Sequence, residues 1–286
     1  MSLVLIAAVV AAAALLLLLA ERTFPLRTPR FPWHRELAIN LALSALAFGV
    51  AAVLVRPAVV RTMSWSRRQD LGLAYLVEMP ALARGVLVFL LLDLTFYYWH
   101  RLNHEWPALW RFHNVHHCDP DLGVSTSFRF HFAEVALSTI FRVVQVSVIG
   151  AALPVYAVYE AAFQLNTLFH HSNVRLPIRL ERLLNRFLVT PRMHGIHHSQ
   201  VKEETSSNYS VVLSWWDRLH RTLRLNVPQA RIVIGVPGYC APEDNQLRVL
   251  LSMPFRKQRD YWLRPGGERV RREPEDLGPN LHHLED

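Results

Sequence analysis

Residues 2–20 and 37–55 of this chain contain no charged side chain. About 20 apolar helical residues cross a bilayer core, and a helix is one of the few structures that satisfies its own backbone there. Residues 82–99 and 132–153 are nearly as apolar, and 154–169 follow after a proline. These runs predict three clear spans and a tighter helical pair, in an all-α integral membrane bundle of about four to five spans. The first run has no positive segment before it and no convincing small-x-small site before Glu21. It is therefore expected to be a retained anchor rather than a cleaved signal peptide.

The second constraint is histidine. Eight of the fifteen fall in three boxes: His100-x-x-x-His104, His113-x-x-His116-His117 and His194-x-x-His197-His198. Residues three and four apart share a helix face, so each box aims its imidazoles one way. Scattered surface or core histidines would explain one box, but not three with matched spacing. Neutral imidazole suits iron, zinc, copper and nickel. Eight such ligands exceed one tetrahedral zinc site and suit two metals with open positions. No box contains a cysteine and none reads H-E-x-x-H, which disfavours zinc fingers and the usual zinc proteases.

The positions of the boxes suggest a topology. His100 ends the third run, His131 begins the fourth and His170–His171 end the fifth, so an up-and-down path brings all of them to one membrane face. The link 21–36 and the stretch 56–80 read as basic loops equally rich in arginine, so loop charge does not decide orientation. The net charge of +8 is almost all arginine, Lys202 and Lys257 being the only lysines. Basic flanks of apolar spans fit anionic lipid, and no nucleic-acid recognition motif is present. Two isolated cysteines, Cys118 and Cys240, fit a reducing compartment without disulfides. Cys118 reads as a small buried residue.

Several local readings follow. Tyr97, Tyr98, Trp99, Trp106 and Trp110 form an aromatic belt, packing around a site, or both. Pro107 opens the helix of the second box and Asp119-Pro120 closes it. Asp93, two turns before His100, is expected to orient a histidine or to pair with Arg84. Arg142 and Glu160 are expected to pair across the hairpin at Pro154. Residues 175–189 alternate an apolar stripe with arginines, as an interfacial helix does, or an amphipathic helix of the soluble part. Thr190-Pro191 reads as the cap and first position of the helix carrying the third box.

HRLNH, HNVHH and HGIHH, in that order between apolar runs, resemble the fatty acid hydroxylase/sterol desaturase superfamily of membrane di-iron enzymes. RFHFAE (129–134) resembles the family's H-P-x-E element, with Phe132 in place of proline. LFHHSN (168–173) and NYSVVLSWWDRL (208–219) resemble two further elements, and 234–255 a C-terminal segment of bacterial members. The resemblance covers about residues 82–255. It implies an N-terminal anchor region (1–81) and a catalytic domain (82–255) with a cytosolic helical histidine-box cap; the tail (256–286), rich in Arg, Glu and Pro after Pro265, is expected from its composition to be disordered.

The same resemblance implies O2-dependent hydroxylation or desaturation of a lipid C–H bond by two non-haem Fe ions. Sterol, fatty acyl, ether lipid and carotenoid are the substrate classes it leaves open. His100, His104, His113, His116, His117, His194, His197 and His198 become ligands, with His171 a ninth. His131 is a tenth ligand or an outer partner. His170, about 100° from His171 on a helix, is expected beside the site, as are Glu134, Asn173 and Asp217. His34, His220, His282 and His283 match no box. No Rossmann or haem-attachment motif is present, so an external reductase, ferredoxin or cytochrome is the expected electron donor. The box face is expected to be cytoplasmic, in a bacterial inner membrane rather than the ER. A histidine-rich metal transporter or sensor is the alternative, although transporters hold ligands nearer the midplane.

Overall fold

A computed structural model describes residues 3–279. Among the described residues the architecture is all-α, with isolated β-bridges only. The helices are α1 (Leu3–Thr23), α2 (Trp33–Val50), α3 (Arg56–Arg68), α4 (Ala81–Glu105), α5 (Pro107–His117) and α6 (Phe132–Ile149). They continue as α7 (Leu153–His171), α8 (Ile178–Asn185), α9 (Pro191–His197), α10 (Lys202–Thr205), α11 (Trp215–Leu219) and α12 (Leu247–Ser252). Among the described residues four stretches are long and apolar enough to cross a membrane: Leu5–Thr23, Trp33–Tyr75, Ala81–Glu105 and Phe132–Ile149. The returning helix α7 is not among them, because Glu160, Gln164, Asn166 and two histidines lower its hydropathy. It nevertheless returns the chain from the Gly150 end to the histidine end, packed on α1 and α4.

The second apolar run does not end in a loop. A π-turn over Ala51–Val55 leads directly into α3, with the Arg56 N–H bonded five residues back to Ala51 O. The wider turn makes room for Pro57, which has no N–H and would clash with the carbonyl of a regular preceding turn. The supposed basic loop is thus mostly helix. Its Val59, Met63 and Ser66 face α6, while Arg61, Arg67 and Arg68 point outward.

Two ends of the bundle are distinct. At one, Gly72 meets Gly150 so closely that a Cβ on Gly72 would strike the Gly150 backbone, and both have positive φ, 120° and 73°. Glycine is the residue that tolerates both conditions. At the other end lie the α1–α2 link, the ends of α4 and α7, the start of α6, and the cap. There Leu26 N–H donates to Asn173 O at 2.7 Å, and Glu21 Oε2 accepts from the N–H groups of Val124 and Asn173 at 3.0 and 2.9 Å.

A core of Val59, Val88, Leu92, Val146, Tyr159 and Val212 joins the spans to the cap. Arg142 bonds Glu160 Oε1 at 2.5 Å and Tyr156 OH at 2.8 Å across the α6–α7 hairpin, the pair expected from the sequence. The tail is held rather than loose through residue 279. Arg272 clasps the fully buried Glu204 at 2.9 and 3.1 Å, and Gly278 N–H donates to Asn226 O at 3.0 Å. A buried carboxylate demands a cation, and that requirement outweighs the composition of the tail. His282 and His283 lie outside the described residues.

Candidate metal centre

The three boxes converge from three helices. The end of α4 supplies His100 and His104, α5 supplies His113, His116 and His117, and α9 with its C-cap supplies His194, His197 and His198. Pro107 opens α5, Cys118 closes it, and Asp119-Pro120 follow, as the sequence requires. Thr190 occupies the N-cap position of α9 but makes no capping bond to that helix.

The donors sort into two groups. His100, His104, His117 and His197 form one, and His116, His171, His194 and His198 the other, with all donor atoms of a group within 4.8 Å of one another. The Nε2 atoms of His116 and His171 are 3.1 Å apart, His171 and His194 3.0 Å, His194 and His198 3.1 Å, and His100 and His197 3.1 Å. Two nitrogens bound to one ion at about 2.0–2.1 Å and at right angles lie about 3 Å apart, so this spacing fits ligands of a shared metal. The buried Nε2 atoms of His104, His113 and His117 have no hydrogen-bond partner, which a metal would supply. His113 belongs to neither group. Its ring lies 5.2 Å from those of His100 and His116 and 4.9 Å from that of His117, between the two.

The other ring nitrogens set the tautomers. Nδ1–H of His100 donates to Tyr209 O at 2.7 Å, that of His197 to Ser207 O at 2.6 Å, and that of His171 to Thr167 O at 2.8 Å. Each bond leaves Nε2 with its lone pair facing the group. In the cap, burial lowers the pKa values of His116, His117, His194 and His198 well below the ordinary value, and neighbouring imidazoles add to the effect. Burial takes that of His197 to about 3, the bond to Ser207 only partly opposing it. These imidazoles are neutral at pH 7, the form that binds metal.

The outer residues divide. Glu134 Oε1 accepts from Nδ1 of His113 in box two at 2.8 Å. Asp217 accepts the N–H groups of Tyr209 and Ser210 at 2.9 and 2.8 Å, fixing the turn whose Tyr209 carbonyl holds His100. His170 accepts from Asn166 at 3.3 Å and packs its ring 4.1 Å from that of His194, outside both groups.

Three expectations need correction. Asp93 orients no histidine and does not pair with Arg84. Its Oδ2 accepts from Leu213 N–H at 3.0 Å and Trp216 Nε1–H at 2.7 Å, so it anchors the stretch before α11. His131 is in neither group, because it caps α6 through Nδ1 and meets Leu251 O at 3.1 Å through Nε2. Asn173 grips both N–H and C=O of Arg27, at 2.9 and 2.7 Å, and so holds the α1–α2 link. The aromatic belt splits: Tyr97 and Trp110 are buried around the site, whereas Tyr98 and Trp106 face outward. His220 stacks on Tyr97 and bonds Tyr98 OH at 2.7 Å, a structural role, and His34 is exposed.

Sequence reasoning missed a buried polar frame behind box two. The Arg129 guanidinium is fully buried and donates to Val115 O, Asn40 Oδ1 and Asn245 Oδ1 at 2.7, 2.9 and 2.7 Å, with Asp119 at 3.6 Å. Its signal was an arginine two residues before a matched histidine. It also missed Arg27, whose guanidinium lies against Gly195 of box three where any Cβ would collide with it.

Fold and site together define an all-α membrane bundle carrying two buried all-histidine groups that can each hold a metal ion. The fatty acid hydroxylase family matches residues 85–222, which include all three boxes and His171. Over 181 residues the chain is 32% identical to an ornithine lipid hydroxylase of Rhizobium tropici, covering 63% of this chain and 53% of the relative. It is 28% identical over 182 residues to the alkylglycerol monooxygenase of Homo sapiens, covering 62% and 38%, and 26% identical over 175 to the human cholesterol 25-hydroxylase, covering 60% and 63%. Residues 85–222 are thus a fatty acid hydroxylase domain, in a chain similar to lipid hydroxylases and monooxygenases. The chain spans about half the length of the first of these relatives, and less of the second. No solved structure matches it.

Proposed function

We propose that this chain is an O2-dependent lipid oxidoreductase that hydroxylates a C–H bond of a membrane lipid at two iron ions. The observation that carries the reading is the pair of four-histidine groups, built at the ends of apolar helices within a domain shared with lipid hydroxylases. His100, His104, His117 and His197 would hold one ion, and His116, His171, His194 and His198 the other. His113 would reach either ion through its unpartnered Nε2, its tilt set by Glu134.

The balanced reaction is R–H + O2 + 2 e⁻ + 2 H⁺ → R–OH + H2O. When bound, the iron pair supplies the reductive activation of O2. The protein's part is to keep the imidazoles neutral, to fix His100, His171 and His197 by carbonyl bonds, and to wall the site with Trp110 and Tyr209. The relatives act on three different lipids, so the shared chemistry is a lipid C–H bond, and hydroxylation is favoured over desaturation. The electrons come from a separate carrier, since the chain has no cofactor motif of its own. The box face is cytoplasmic, where that carrier is reduced.

The test is iron content of the purified protein together with lipid profiles of a host with and without it under ¹⁸O2. About two irons per chain and one labelled hydroxyl in a lipid are expected. Bound metal with no O2-dependent product would favour a transporter or sensor instead.

A further inference from the structure

Helix α8 is turned against the usual rule for amphipathic helices. Its buried positions are polar, Glu181 at 0% and Asn185 at 0% exposure, while Leu180, Leu183 and the following Phe187 stand 43–53% exposed. The polar side is engaged: Glu181 takes the backbone N–H and Nε of Arg192 at 2.9 and 2.7 Å, and Asn185 Nδ2 donates to Met193 Sδ at 3.2 Å. The apolar side continues onto α11. Trp215 packs 6.2 Å from Phe187, its indole N–H bonds Arg186 O at 2.9 Å, and Leu219 is 68% exposed.

The depth of this patch follows from Asp93. That residue bonds Leu213 and Trp216, and it lies six residues before Trp99, where the apolar run of α4 ends. At about 1.5 Å per residue the start of α11 sits about 9 Å inside the box-side end of that run. Amphipathic helices lying in a membrane interface bury their apolar face about 5–10 Å. Val212 lies in the same buried core as Leu92 and Tyr159, with Leu188 and Leu213 packed against it, so the residues next to Phe187 and before α11 rest directly on the helical bundle. Arg175 and Arg186 are exposed beside α8, while Glu181 of the helix faces inward and is paired with Arg192.

We propose that α8 and α11 form a collar inserted in the leaflet on the box side, with Leu183, Phe187, Trp215 and Leu219 among acyl chains and the flanking Arg175 and Arg186 among anionic headgroups. The collar rests on the geometry of the cap and on the spans, not on the reaction assigned to the histidines. Cationic side chains beside a shallow apolar face favour anionic lipid. A protein partner would instead leave the patch wet until it docks.

The test uses the full chain in nanodiscs. Leu183→Cys and Leu219→Cys, each in a Cys240→Ser background, are labelled with an environment-sensitive fluorophore. Cys118 is buried, and Leu277→Cys, exposed on the tail, serves as control. Both collar sites are expected to lose about half their emission or more to lipids doxyl-labelled near the headgroup, and little to aqueous iodide, with the control behaving in reverse. Doxyl quenching at the collar is expected to grow when phosphatidylglycerol replaces part of the phosphatidylcholine. Iodide quenching equal to that of the control would overturn the collar and point to a protein-docking face. Quenching indifferent to phosphatidylglycerol would overturn the anionic-headgroup assignment. Size-exclusion profiles establish that each variant is folded, and neither readout needs activity.

Discussion

His113 Nδ1 and Glu134 Oε1 stand 2.8 Å apart, both buried, with the free Nε2 of the same ring turned into the space between the two histidine groups. The carboxylate therefore sets the direction of the one box histidine that belongs to neither group. Outer partners of this kind typically change metal affinity or activity about 10–100-fold when removed. Glu134→Ala is expected to show a loss in that range, and Glu134→Gln, which keeps an acceptor oxygen, a smaller one. Metal content by mass spectrometry and turnover of the lipid product check this. Equal behaviour of Ala and Gln would mean that the bond does not position His113.

The two groups predict a stepwise loss of metal. His197→Ala and His194→Ala each remove a donor from one group and are expected to lower bound metal from about two ions toward about one, with activity abolished in both. His171→Ala should behave like His194→Ala. His170→Ala, outside both groups, should retain the metal and most activity. Full activity in a His197→Ala variant would contradict the paired-metal reading.

His131 separates capping from ligation. Its imidazole accepts the Ala133 N–H at the start of α6, and loss of a cap typically costs about 0.5–2 kcal/mol. His131→Asn, which restores a capping oxygen, is expected to recover most of the thermal stability lost in His131→Ala, and neither should change metal content. A drop in metal with His131→Asn would show instead that the imidazole reaches an ion.

Arg129 lies fully buried with Asp119. Removing one partner of a buried ion pair costs about 3–5 kcal/mol, because the other charge is left unpaired. Arg129→Met is expected to lower the denaturation midpoint sharply and to loosen box two through the lost bond to Val115 O. Arg129→Met with Asp119→Asn should recover part of the loss. A double variant no better than the single would place the cost in the hydrogen bonds to Asn40 and Asn245 rather than in the charge.

Topology gives a last expectation. The link around residues 24–32 and the tail share an end of the bundle, and the Gly72–Gly150 contact marks the other. Reporter fusions in the 24–32 link and after residue 279 are expected to read cytoplasmic, and an insertion near Ser66 not. Opposite readings at the link and the tail would mean that one helix counted as crossing does not cross.

What the amino-acid order determined by itself was local. Charge-free runs of helix-spanning length and three histidine boxes at helical spacing depend on residues within a turn or two of each other, so their apolar and imidazole faces are legible without a fold. The Arg142–Glu160 pair was legible for the same reason, since two charges in one hairpin have few other partners. Tertiary structure decided everything that turns on which distant backbone arrives. The carbonyls of Tyr209, Ser207 and Thr167 that fix three ring tautomers have no side-chain signature. Asp93, on the helix of box one, found the N–H groups of residues 213 and 216 because the cap folds down against α4. The basic stretch after residue 55 became helix because a π-turn absorbed Pro57, and the charged tail stayed in place because Glu204 was buried and needed Arg272. In α8 the periodicity was plain in sequence, but its hand was not. Only the packing of Glu181 and Asn185 inward determined that the leucines face out, since a stripe pattern defines two faces and the neighbours choose between them.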